Sequence, residues 1–116
     1  MANSILVVDD NFEDLSRAKS LLEKSGYSVV PATNGAKAMD LLKGGGVDLL
    51  LLDIQLPTLS GYDLLSLLKG RQDGRMKIIY ISIVPRKDVD MAGVDGFIQK
   101  PFSPSSLLGE VKRVLK

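Results

Sequence analysis

Four consecutive leucines, Leu49 to Leu52, inside the stretch VDLLLLDIQLPTLSG (Val47 to Gly61), constrain this chain more than any other feature. The run is too short for a helix of its own. With Asp48 and Asp53 at its ends, it reads as a strand buried on both faces, which belongs in the middle of a parallel sheet. Asp53 stands where that strand stops and a loop with Pro57 and Gly61 begins. In open α/β sheets, ligands bind in the crevice beyond the carboxyl ends of the strands. Asp53 therefore has two readings at this point: a strand terminator, or a carboxylate facing chemistry.

A second apolar run, Ser4 to Val8, ends in the adjacent acids Asp9 and Asp10. Asn11 is a plausible N-cap, and Phe12, Leu15, Ala18 and Leu22 recur at helical spacing until Gly26 closes the helix. Tyr27 to Ala32 reads as a short strand. Thr33 or Asn34 then caps a helix with Ala38, Met39 and Leu42 on one face, ended by Gly44, Gly45 and Gly46. The triple glycine follows a helix and precedes a strand, the reverse of a phosphate loop, and no GK[ST] follows; it reads as a C-cap and tight turn. Ser60 caps a helix through Leu64, Leu65 and Leu68, expected to end at Gly70, before a polar loop from Arg71 to Lys77.

Lys77 to Ile81 is a fourth strand with Ser82 at its end, and Gly96 to Gln99 is a fifth, followed by Lys100 and Pro101. One of Ser103, Ser105 or Ser106 opens a last helix lined by Leu107, Leu108, Val111, Val114 and Leu115. Between Ser82 and Gly96, Pro85 disfavours helix before it and Gly93 ends helix after it, so the fourth helix is expected to be shortened or absent. Strand and helix alternate five times with short connections across one domain, residues 1–116, which is the pattern of a doubly wound α/β fold on a five-stranded parallel sheet.

Composition narrows the chemistry. A net charge of +1 gives no bulk attraction to nucleic acid or an anionic membrane. No apolar run reaches the length of a membrane span, and the first four residues do not make a signal peptide, so a cytoplasmic protein is expected. The absence of Cys removes disulfides and thiol chemistry, and the absence of His removes the commonest general base and metal ligand. Any histidine chemistry has to come from a partner.

Five polar residues share an address at strand ends: Asp9 and Asp10, Asp53, Ser82 and Lys100. Three carboxylates crowded at one edge repel, so at least one pKa should rise unless a cation intervenes. A hard divalent ion with oxygen ligands relieves the repulsion, and Mg²⁺ suits a site with few protein ligands and several waters.

On the motifs VVDD (Val7 to Asp10), LLLDIQLPTLSG (Leu50 to Gly61), YIS (Tyr80 to Ser82) and GVDGFIQKPF (Gly93 to Phe102), the whole chain resembles the receiver domains of two-component response regulators, the CheY-like family. The resemblance implies a sheet ordered 2-1-3-4-5. It implies Asp53 as phosphoacceptor, Asp10 as a direct Mg²⁺ ligand, Asp9 as its water-mediated partner and the backbone carbonyl of Gln55 as a further ligand. Ser82 would bond the phosphoryl group, Lys100 would pair with it across a cis bond to Pro101, and Phe97 would be the switch aromatic. The implied donor is a histidine kinase or histidine phosphotransfer protein, with an output partner unknown and no direct nucleic-acid or membrane contact.

Three departures from the family pattern stand out. Gln55, Ile83 and Val84 surround the expected phosphoryl position, with Ile83 where the family has Ala or Gly, so a long-lived phosphoryl group is expected. Phe97 lacks a hydroxyl, and the segment between Ser82 and Lys100 is short. The loss of the fourth helix would remove the family's usual dimer surface, so a monomer with a mobile Val84 to Val94 loop is expected. The rival reading is an interaction module of the same fold that has stopped using phosphate. An aspartyl-phosphate hydrolase wants a DxD pair and a cap, and a flavin carrier wants a Gly- and Ser-rich first loop; neither is present.

Overall fold

The computed structural model describes residues 3–68 and 76–116. Its elements run β1 (Ser4–Val8), α1 (Phe12–Lys24), β2 (Ser28–Ala32), α2 (Gly35–Lys43), β3 (Leu49–Asp53), α3 (Gly61–Leu68), β4 (Lys77–Ser82), a 3₁₀ turn (Arg86–Asp88), β5 (Gly96–Gln99) and α4 (Pro104–Leu115). The five strands form one sheet in the order β2-β1-β3-β4-β5, with every neighbouring pair parallel. The expected end of α3 at Gly70 and most of the expected loop from Arg71 to Lys77 lie outside the described residues.

The leucine run is the centre of this sheet. Leu49 and Leu51 join the apolar layer under α1 and α4, with Leu15, Leu22, Leu107 and Val111. Leu50 and Leu52 point the other way, into the layer under α2 and α3 with Ala38, Leu64 and Leu65. Side chains alternate across a strand, so a strand covered on both faces must be apolar at every position. β2, at the edge, tolerates Pro31 because the missing N–H faces outward.

Helix ends follow local chemistry. Asn11 accepts from the Asp14 N–H, Asn34 from the Lys37 N–H, and Ser103 forms a reciprocal capping box with Ser106. Of the two candidates for the second cap Asn34 is used, and of the three serines Ser103. The Tyr27 strand start moves to Ser28, and the triple glycine ends α2 with Gly45 and Gly46 in the left-handed region. Phe12 does not join the buried stripe: it is 74 % exposed. At 100° per residue it lies roughly 90° round the helix from the mean direction of Leu15, Ala18 and Leu22.

The fourth helix is reduced to the single 3₁₀ turn at Arg86–Asp88, as its flanking Pro85 and Gly93 lead one to expect. Among the described residues no helix is long and apolar enough to cross a membrane.

Candidate functional site

Two neighbouring parallel strands, β1 and β3, end at one edge of the sheet, and their carboxyl ends bring the acids together. Asp9 follows β1, Asp53 closes β3, and one carboxylate oxygen from each of Asp9, Asp10 and Asp53 lies within 4.8 Å of the others. Asp9 and Asp53 are buried, while Asp10 is exposed at the mouth. These are hard oxygen donors on a partly open site, the donor set that an octahedral, water-retaining divalent ion takes. The cluster could hold a metal.

Backbone donors aim the carboxylates. The Asn11 N–H donates to Asp9 Oδ1 at 2.9 Å, and the Gln55 N–H to Asp53 Oδ1 at 2.9 Å. Each bond leaves the second oxygen turned inward. Gly61, the first residue of α3, packs so closely on this loop that a Cβ there would sit 2.7 Å from the Asp53 carbonyl oxygen and from Ile54 Cα. Only glycine lets α3 start against the backbone of the acid-bearing strand.

Lys100 enters from the end of β5, with the Lys100–Pro101 bond cis as expected. Its ammonium lies 2.9 Å from Asp9 Oδ2, 3.1 Å from Asp53 Oδ2 and 3.1 Å from Asp14 Oδ2, and the side chain is 9 % exposed. Burial alone would lower the lysine pKa; hydrogen bonding to Asp9 and the charges of Asp53 and Asp9 overcome it and hold it above the ordinary value. At Asp53 burial wins. Burial pushes its pKa up to about 6, with Asp9 adding to the rise and the Gln55 N–H and Lys100 opposing it. The expected rise of one carboxylate in a crowded trio thus falls on Asp53.

Ser82 is fully buried at the end of β4, where its Oγ accepts from the Val84 N–H at 3.0 Å. Ile83, next in sequence, is 63 % exposed. Phe97 is half-buried beside Tyr80 on the neighbouring strand, and its N–H donates to Glu110 Oε2 at 2.9 Å. The Gln55 side chain is exposed, and its N–H is what meets Asp53.

Two contributors were not singled out from sequence. Asp14 looks like an ordinary first-turn acid that favours a helix N-terminus, and only the packing of α1 against the Lys100 turn reveals its ion pair. Gln99 sits beside Lys100, and its amide donates to the carbonyls of Ser82 (3.1 Å), Ile83 (2.9 Å) and Lys100 (3.1 Å), tying the end of β4 to the lysine turn. A glutamine at the end of a strand carries no pattern that announces this.

Comparison with known proteins points one way. The family described as response regulator receiver domain matches residues 5–112. The polar-differentiation response regulator DivK of Brucella anthropi is 31 % identical over 120 residues, covering 99 % of this chain and 98 % of DivK. The transcriptional regulatory protein CpxR of Escherichia coli K12 is 35 % identical over 119 residues, covering 98 % of this chain and 50 % of CpxR. The chain thus spans about half the length of that relative. Among solved structures, response regulator TrrA of Thermotoga maritima, in complex with Mg²⁺ and BeF, aligns with a TM-score of 0.88 and 30 % identity over 97 % of this chain and 99 % of TrrA. Chemotaxis protein CheY4 of Vibrio cholerae aligns with a TM-score of 0.89 and 25 % identity over 99 % of this chain and 100 % of CheY4.

Proposed function

The chain belongs to the family of response regulator receiver domains, and on that premise we propose that it is a phosphorylation-gated signalling switch whose acceptor is Asp53. The observation that carries this reading is the position of Lys100 Nζ, 3.1 Å from Oδ2 of Asp53, a residue of the metal-competent cluster. Asp9, Asp10 and Asp53, with the backbone carbonyl of Gln55, would hold Mg²⁺, which when bound neutralises charge on the phosphoryl oxygens. In the step itself, an Asp53 oxygen attacks phosphorus in line. The bond from phosphorus to the imidazole nitrogen of a partner's phosphohistidine breaks, and that nitrogen keeps the electron pair. Little covalent chemistry is asked of the protein, so positioning and cations carry the rate.

The acquired charge is the signal. The Ser82 hydroxyl accepts from Val84 and has its own hydrogen to offer a phosphoryl oxygen. Its movement would free space for Phe97, whose readout is by packing because it has no hydroxyl. Such a switch transmits only the free-energy difference between its two states. The donor on this reading is a histidine kinase or phosphotransfer protein, and the chain is a cytoplasmic monomer acting as acceptor and relay instead of a turnover enzyme. With its fourth helix reduced, it passes the signal to an output partner through a face other than the one that helix would supply.

Calorimetric titration with beryllofluoride tests the site. Binding with Mg²⁺ present, and none with Mg²⁺ omitted or in Asp10→Asn, is expected. Binding that ignores Mg²⁺ would count against the proposed chemistry, and no binding under any condition would favour the phosphate-independent module.

A further inference from the structure

A lysine ammonium has three N–H donors and no acceptor. At Lys100 these face Asp9 at 2.9 Å, Asp53 at 3.1 Å and Asp14 at 3.1 Å. The three carboxylates differ in what else they serve. Asp9 and Asp53, with Asp10, bring oxygens within 4.8 Å of one another, and Asp14 stands outside that group. A cation bound among Asp9, Asp10 and Asp53 would draw two of the ammonium's acceptors toward itself and leave the third in place.

α1 holds that third acceptor firmly. The Asp14 N–H donates to the Asn11 cap at 2.9 Å, so its backbone is fixed in the first turn. Three residues on, Arg17 donates to the Phe102 carbonyl, and its guanidinium lies 4.7 Å from the centre of the Phe102 ring. One face of α1 therefore grips the Lys100 to Phe102 turn at both ends, by Asp14 and by Arg17.

We propose that Asp14 is a positioning residue that keeps the Lys100 ammonium beside Asp53 when a divalent cation occupies Asp9, Asp10 and Asp53. The inference rests on the acceptor reading of Asp53. Asp14 acts through Lys100 alone and touches neither the ion nor the phosphoryl group. Without it, a lysine on a flexible four-carbon stem samples positions away from Asp53 once its other partners are engaged.

The test compares beryllofluoride affinity at saturating Mg²⁺ in the native protein, Asp14→Ala, Lys100→Met and the double variant. Asp14→Ala should weaken binding about fivefold, the upper range for a partly exposed ion pair, and should add nothing in the Lys100→Met background. Unchanged or tighter binding in Asp14→Ala, or an equal loss in both backgrounds, overturns the proposal. A second measurement is independent of the acceptor: the rate at which acetic anhydride modifies the Lys100 amine in Mg²⁺-saturated protein, read by peptide mass. It should rise about fivefold in Asp14→Ala, in line with the same ion-pair energy, and an unchanged rate overturns the proposal. If the native protein takes up no beryllofluoride while the amine rates change as expected, the acceptor reading fails and the hold of Asp14 on Lys100 stands.

Discussion

The carboxyl ends of β1 and β3 and the segment that follows β4 lie in the same small domain, yet they are built in opposite ways. At the first, the buried polar groups have partners: Asp9 and Asp53 each accept a backbone N–H, and Lys100 meets three carboxylates. Beneath them the strands are apolar on both faces. At the second, residues 83–95 hold one 3₁₀ turn, and Val89, Met91 and Val94 are only partly buried. Under this segment lies Tyr80, whose buried hydroxyl has no hydrogen-bond partner among the described residues. Its ring meets Tyr62 edge-on at 5.5 Å, and the Tyr62 hydroxyl accepts from the Asp90 N–H at 3.1 Å. The charged groups are thus mounted on fully buried strands, while the segment after β4 stays half-buried and holds little regular structure.

The largest expected effect tests the rigid side. Leu51 is fully buried in the layer under α1 and α4, so Leu51→Ala should cost about 3 to 4 kcal/mol in urea unfolding. A loss under about 1 kcal/mol, the size of an ordinary surface substitution, would mean that the sheet centre is not the anchor described.

The next concerns the charge stored there. The Asp53 pKa is raised above its unfolded value, mainly by burial, so between about 4 and about 6 the folded state holds more protons than the unfolded state. Stability without Mg²⁺ should therefore fall as pH rises through that window. Asp53→Asn should melt on the order of 5 °C higher than the native protein at pH 7, with the difference closing below pH of about 4. A variant that melts lower than the native protein at pH 7 would show that the Lys100 pairing outweighs desolvation.

The smallest effect probes the looser side. Tyr80→Phe removes a buried hydroxyl that has no partner among the described residues, and should leave stability unchanged or raise it by up to about 1 kcal/mol. A clear loss would reveal a hydrogen bond across the segment and make the two regions more alike than they look. The Tyr80 hydroxyl itself is pushed up to about 12, chiefly by burial with Tyr62 and Asp90 adding to it, so it stays neutral throughout the accessible range.

The same contrast governs what the amino-acid order discloses. Leu49 to Leu52, Asp9 and Asp53 are legible because a strand buried on both faces forces an unbroken apolar run, and the first polar residue after it must lie at the sheet edge; Lys100 is legible instead from its place after the last strand, in the motif ending QKPF. Ser103 is one of three serines with equal local chemistry, so only the capping box identifies it. Phe12 misleads because spacing gives an angle, and at the first turn no neighbour lies on that side. Asp14 and Gln99 stay hidden for another reason. Their partners lie 86 and 17 residues away or in adjacent backbone, and a lone acid or amide on a surface element reads the same whether it meets solvent or a buried lysine.

The central claim is that Asp53 takes up a phosphoryl group, and intact-mass measurement after incubation with acetyl phosphate and Mg²⁺ tests it most directly. A gain of one phosphoryl group is expected in the native protein, lost on chelation of Mg²⁺ and absent in Asp53→Asn, because an amide is not a competent nucleophile. No gain in the native protein, or an equal gain in Asp53→Asn, would contradict it.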